Sequence, residues 1–266
     1  MDAMATEYKN ISLDWDGDIA RLTLRRPDKL NPLDWATVRE LRQAISQIEE
    51  RDDIVSVIVT GEGRSFSAGG DLEGYISLYK NAEQFAEFLD DFLNLLTGME
   101  ASDKIYIAAV NGACVAGGLE LLLACDLSIA ADTAKIGDGH LNFGQLPGAG
   151  GSQRLPRLIG PIRAKYLILT GELLSAAEAE RIGLINKVVP ADQLIEEAVA
   201  LGRSLADKSG AGVRGAKHLT HIAATTDLPK GLECELKYVH RYATTEPDAT
   251  EGLIAFKEKR KPKFIS

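Results

Sequence analysis

The stretch Asn111–Asp126, NGACVAGGLELLLACD, decides the fold. It opens on an Asn-Gly turn, passes through small residues and reaches Gly117-Gly118, a pair that permits a sharp, close-packed turn which a Cβ would block. Leu119 to Ala124 then form an apolar run interrupted only by Glu120. These residues are good helix formers, so the turn is expected to become a helix N-terminus, where unpaired N–H groups and the macrodipole favour negative charge. Glu120 is therefore either an acid satisfied by its own helix dipole or a catalytic carboxylate. The rest of the chain has to decide between the two.

Immediately upstream, IYIAAV (residues 105–110) reads as a buried strand. The same design occurs once before. IVSVIVTG (residues 54–61) is a buried strand rich in β-branched residues, running into the glycine-bearing loop Arg64–Asp71. From Ala82 to Glu100 an amphipathic helix follows, with Phe85, Phe88, Leu89, Phe92, Leu96 and Met99 turned inward. Two copies of buried strand, small-residue loop and helix predict an α/β core. Ahead of them, residues 7–26 read as a β-hairpin turning at Asp16-Gly17. Asn31-Pro32-Leu33-Asp34 reads as a helix start with Asn31 as cap and Pro32 in the first helical position. Downstream, LSIAA and AKIG within 127–137 are short strands, 141–151 is a loop, and Ser152 opens a helix through Leu158. Beyond about Pro161 the pattern is almost wholly helical.

Composition narrows the function. With 45% hydrophobic and 26% charged residues, the 266-residue chain has the make-up of a globular protein. Thirty basic against 39 acidic residues leave a net charge of −9, which argues against broad binding of nucleic acid or anionic membrane. Cys114, Cys125 and Cys234 are too few and too scattered for a disulfide framework or a metal cluster, and reduced thiols in a cytoplasmic protein are the expectation. MDAMATEYKN has no apolar leader core, and no segment approaches the length of a membrane span. Without a leader, the sequon Asn10-Ile11-Ser12 carries no meaning.

Two small-residue loops, each leaving a buried strand, can aim two backbone N–H groups at one oxygen. That is an oxyanion hole, suited to an enolate or to the tetrahedral intermediate of a thioester. At this point six ordered segments resemble the enoyl-CoA hydratase/isomerase (crotonase) family: RRPDKLNPL (25–33), SFSAGGDL (65–72), NGACVAGGLELLLACD (111–126), LPGAGGSQRLPRLIG (146–160), LTGELLSAAEAERIGLINKVV (169–189) and FKEKRKP (256–262). The resemblance implies the crotonase-like spiral of ββα repeats over residues 1–200. A C-terminal helical region, 201–266, would serve oligomerisation and coenzyme A contact. It also implies a homotrimer or a hexamer made of two trimers, an acyl-CoA substrate of fatty acid metabolism, and no cofactor beyond the coenzyme A that the substrate carries.

By that resemblance, the amides of Ala68 and Gly117 form the oxyanion hole. Glu120 takes the place of the first of two catalytic glutamates. The second falls at position 140, within Gly137-Asp138-Gly139-His140-Leu141, where this chain has His140. Some dehalogenases and isomerases of the family carry an acid at the place of Gly148. Lys29, Leu30, Ser67, Gly70, Asp71, Leu72, Tyr75, Gly118, Leu141, Gly148 and Lys259 are the expected substrate and coenzyme A contacts. Several have plainer readings: Asp71 and Asp126 as caps or loop-fixing acids, Tyr75 as a packing residue, and the tail lysines as a solvated charge run. Asp138 is near enough in sequence to orient or charge His140, and equally reads as a solvated loop acid. His218, His221 and His240 fall on C-terminal helical segments and read as structural. The leading expectation is hydration of an enoyl-CoA by Glu120 and His140. Isomerisation by Glu120 alone, hydrolysis or C–C cleavage with His140 activating water, and coenzyme A binding without chemistry stand as alternatives.

Overall fold

Tight turns after buried strands make this chain build two sheets at once. The computed structural model describes residues 7–265, so Met1–Thr6 of the stretch read as lacking a leader lie outside the described residues. A hairpin of β1 (Ile11–Asp16) and β2 (Ile19–Leu24) leads through α1 (Trp35–Glu49) to the first repeat: β3 (Ser56–Gly61), β4 (Ser65–Ser67), α2 (Leu72–Leu78) and α3 (Ala82–Ala101). The second is β5 (Ile105–Val110), β6 (Ala113–Val115) and α4 (Gly117–Leu123). The third is β7 (Leu127–Ala131), β8 (Lys135–Gly137), a 3-10 turn over His140–Phe143, α5 (Gly151–Ile159) and α6 (Pro161–Thr170). The chain finishes with β9 (Leu174–Ser175), α7 (Ala176–Arg181), β10 (Lys187–Val189), α8 (Leu194–Ala206), α9 (Gly210–Thr225), α10 (Leu228–Thr245) and α11 (Asp248–Glu258).

In each repeat the first strand joins a six-stranded sheet, ordered β1-β2-β3-β5-β7-β10 and parallel from β2 onward. The second strand joins a four-stranded sheet, β4-β6-β8-β9, antiparallel only between β8 and β9. This is the expected spiral of ββα repeats. The alternation of side chains along β3 and β5 explains why both are buried on both faces. Val57, Val59, Tyr106 and Ala108 pack into the cluster that includes α1 and α3, while Ile58, Ile107 and Ala109 meet Leu194 and Ala198 of α8. Each buried Val, Ile or Leu among them contributes about 1.5–3 kcal/mol, enough to hold the strand ends, and the loops leaving them, in fixed register.

Four expectations change. Asn31 does not cap α1. Its backbone is left-handed (φ 54°), its buried amide donates to the carbonyls of Glu62 (2.9 Å) and Ser65 (2.8 Å), and Asp34 caps the helix by accepting from Thr37 N–H. Residues 64–71 and 113–115 are not plain loop, because β4 and β6 pair there in the second sheet. The C-terminal third is not wholly helical, since β9 and β10 each close an edge. Helix α2 carries no periodic signal at all; Asp71 starts it by accepting from Glu73 and Gly74 N–H. Strands of two or three residues are too short to show a period, and they exist only because longer neighbours offer them a sheet edge.

Candidate active site

The loops after β4 and β6 lie against each other. A Cβ on Gly118 would sit 2.3 Å from the Ser67 carbonyl oxygen, so glycine is required for the approach. Ala116, just before α4, is held at φ 54°, ψ −119°, a conformation that costs an L-residue about 1–3 kcal/mol. In return, the first amides of α4 lie close to the neighbouring loop. Gly117 heads that helix, so its N–H has no intrahelical acceptor.

Glu120 is 2% exposed. Its Oε1 accepts from Ala149 N–H and Gly151 N–H, both at 2.8 Å. Glu120 therefore caps α5, a different helix from its own, which corrects the reading of a carboxylate satisfied by the dipole of α4. The same bonds occupy the Gly148–Gly151 segment. Burial raises the proton affinity of Glu120 above the ordinary carboxyl value; the Gly151 N–H, the His140 ring and the Ala149 N–H oppose it without cancelling it. Oε2 faces His140 Nε2 at 4.0 Å.

His140 lies at the head of the 3-10 turn, its side chain 11% exposed. Asp138, fully buried, places Oδ1 3.1 Å from His140 Nδ1 and also accepts the His140 backbone N–H at 3.2 Å. The solvated-loop-acid reading of Asp138 is excluded by that burial. Gly139 between them is left-handed (φ 67°), which folds the two side chains onto one another.

Of these groups, Gly139 and His140 border a cavity of about 460 Å³, with Glu120 and Asp138 behind the His140 ring. Ala68, Gly70, Asp71, Leu72, Tyr75 and His140 line it, with Lys29 and Leu30 on the α1 side. One expected contact changes role. The Ala68 N–H donates to the Leu30 carbonyl (3.0 Å), so it is not free to hold a substrate oxygen. Two residues on, the Gly70 N–H has no hydrogen-bond partner among the described residues. A Cβ at Gly70 would lie 2.3 Å from the Tyr75 ring, so that ring fills the space a side chain there would take. Burial, then the Glu120 charge, hold the Tyr75 phenol strongly protonated.

Asp71 sits 3.7 Å from Arg26 as well as capping α2. Ser67 is buried and accepts the Gly69 N–H (3.2 Å), and Gly118 packs behind it. Leu141, Gly148 and Lys259 do not line this cavity; Gly148 neighbours Leu89, and Lys259 ends α11 in a left-handed conformation. Asp126 is structural, accepting from Tyr106 N–H (2.8 Å) and Lys217 Nζ (2.9 Å). Phe143 and Gln145 also line the cavity, and Gln145 bonds to the Tyr79 hydroxyl. Their only sequence signal is that they follow His140 closely. A second cavity, about 630 Å³, lies beside α5 and α9, but both acids that line it are paired: Glu100 at two points by Arg154 (2.6 Å each) and Asp126 by Lys217 (2.9 Å). The Glu120–His140 pair belongs to the 460 Å³ cavity, whose wall includes His140.

Comparison with known proteins identifies the family. The family model for enoyl-CoA hydratase/isomerase matches residues 15–266. The chain is 41% identical over 258 residues to the probable enoyl-CoA hydratase echA8 of Mycobacterium bovis, covering 97% of this chain and 98% of that one. It is 37% identical to the crotonyl-CoA hydratase of Syntrophomonas wolfei, covering 97% and 99%. The crystal structure of enoyl-CoA hydratase from Bacillus anthracis superposes with a TM-score of 0.90 at 39% identity, covering 96% and 99%. This chain belongs to the enoyl-CoA hydratase/isomerase family.

Proposed function

We propose that the protein is an enoyl-CoA hydratase, a lyase that adds water across the 2,3 double bond of an acyl-CoA thioester. The observation that carries this reading is the pair formed by Glu120 and His140, one acid with raised proton affinity and one imidazole, 4.0 Å apart, with His140 in the wall of a cavity that the free Gly70 amide also borders. The Gly70 and Gly117 N–H groups hold the thioester oxygen. Glu120 Oε2 takes a proton from water as its oxygen bonds to C3. The π electrons move into an enolate, which the two amides stabilise; a single such donor is commonly worth about 2.7–4 kcal/mol. His140 Nε2–H then protonates C2, and the proton on Glu120 returns to Nε2 across the gap. In the reverse direction the neutral Nε2 removes the C2 proton.

Lys29, exposed at the cavity edge and without an acid partner among the described residues, suits a coenzyme A phosphate in a chain of net charge −9. The exposed stripe Leu228, Leu232, Leu236 and Val239 on α10 supports an assembly of copies as a trimer or hexamer, which light scattering on the purified protein would read. The three free cysteines fit the reducing cytoplasm in which we place the enzyme. Incubation with crotonyl-CoA, followed by mass spectrometry for a gain of one water, tests the reaction. In Glu120→Gln the turnover should fall by about 10²-fold or more while binding survives. Unchanged turnover would reduce Glu120 to the cap of α5.

A further inference from the structure

An imidazole cannot by itself stand in for a glutamate, because it lacks a fixed negative charge. The carboxylate of Asp138 provides that charge. It is fully buried, its Oδ1 lies 3.1 Å from His140 Nδ1, and its Oδ2 has no hydrogen-bond partner among the described residues. A buried carboxylate oxygen left unpaired is costly, and the cost is tolerable where the other oxygen receives a proton from a polarised N–H.

We propose that Asp138 is a positioning residue which keeps a proton on His140 Nδ1 throughout the cycle, so that Nε2 is the only ring atom that exchanges protons with substrate. Together Asp138 and His140 act as one base of net charge −1 when Nε2 is free and a neutral acid when it is protonated, the same two charge states as a glutamate. Gly139, left-handed between them, and the bond from His140 N–H to Asp138 Oδ1 fix the ring plane, so Nε2 points across to Glu120 Oε2. The inference rests on the hydratase reading for its kinetic arm and is independent of it for its spectroscopic arm.

Nitrogen-15 NMR of histidine-labelled wild-type protein, with His140 identified by its loss in His140→Ala, reads the tautomer directly. Nδ1 should carry a proton whether or not Nε2 does. In Asp138→Asn, which keeps the shape but can donate to Nδ1 instead of accepting from it, the Nε2–H tautomer should become populated. The kcat on crotonyl-CoA should then fall by about 10²-fold or more while KM stays within about threefold. An Nε2–H tautomer in the wild type would overturn the proposal whether or not the variant folds, and so would wild-type kcat in Asp138→Asn. A variant whose KM, kcat and melting temperature all drop together, with the tautomer unchanged, would also overturn it. If the wild type does not hydrate crotonyl-CoA at all, the hydratase reading fails and the tautomer measurement still decides the role of Asp138.

Discussion

SAGGDL (67–72) and AGGLEL (116–121) read almost alike, and in the fold they do opposite things. The first leads into α2, a helix with no buried residue, whose Leu72 and Ile76 are both more than half exposed. The second leads into α4, in which every residue from Gly117 to Leu122 is buried. The strained Ala116 and the acid Glu120 both belong to the second loop and its helix, where surrounding packing can hold them. The first loop contributes a free amide at Gly70 and a wall, Leu72 and Tyr75, on an element with little to pin it. The charge that does chemistry is thus carried by the rigid side of the cavity, and the surface facing the acyl group by the adaptable side.

Substituting glycines on the two sides breaks the comparison most strongly. Gly118→Ala would drive a Cβ to 2.3 Å from a backbone carbonyl, and we expect a loss of about 2–4 kcal/mol, a melting temperature roughly 5–12 °C lower by calorimetry. A smaller effect is expected from Glu120→Gln, and its sign follows from the raised proton affinity of Glu120. Well below the ordinary carboxyl value of 4.5 the group is neutral in both folded and unfolded chains. As pH rises above it, the unfolded chain ionises first and the wild type loses stability, until the folded carboxyl ionises too. The variant lacks this titration, so its melting temperature should match the wild type well below pH 4.5, pull ahead as pH rises above it, and keep a constant lead once the folded carboxyl has ionised. Equal gaps at both ends would contradict the burial account.

On the adaptable side, Leu72→Ala should change stability by less than about 0.5 kcal/mol while shifting KM for enoyl-CoA substrates by a few fold. The smallest effect is a gain. In Gly74→Ala the new methyl meets only the Asp71 side chain, at 3.5 Å (Cβ) and 3.7 Å (Cγ), ordinary contacts, so α2 should be stabilised by about 0.4–1 kcal/mol in thermal melts.

Long elements were legible from the residues alone. The buried runs at 54–61 and 105–110 and the Phe-rich face of α3 announce themselves by period and composition. Glu120 stood out because a lone acid in an apolar run needs a partner. Its actual partners, Ala149 and Gly151, lie about 30 residues away and bind through backbone N–H groups, which leave no trace in side-chain identity. The Ala68 amide looks free in the sequence for the same reason: a backbone bond to Leu30 is invisible until the chain is folded. Asp138 was ambiguous because a loop acid looks the same in sequence whether buried or solvated; only the burial of β8 and the turn at Gly139 separate the two.

The central claim is that an imidazole across 4.0 Å from Glu120 does the work of a second acid in hydrating an enoyl-CoA. Steady-state hydration of crotonyl-CoA by His140→Ala tests it most directly. We expect kcat to fall by about 10²-fold or more, with KM within about threefold of wild type, because the ring acts on C2 rather than on the coenzyme A end. Wild-type kcat in that variant would contradict the claim and leave Glu120 to act alone, as an isomerase of this family would use it.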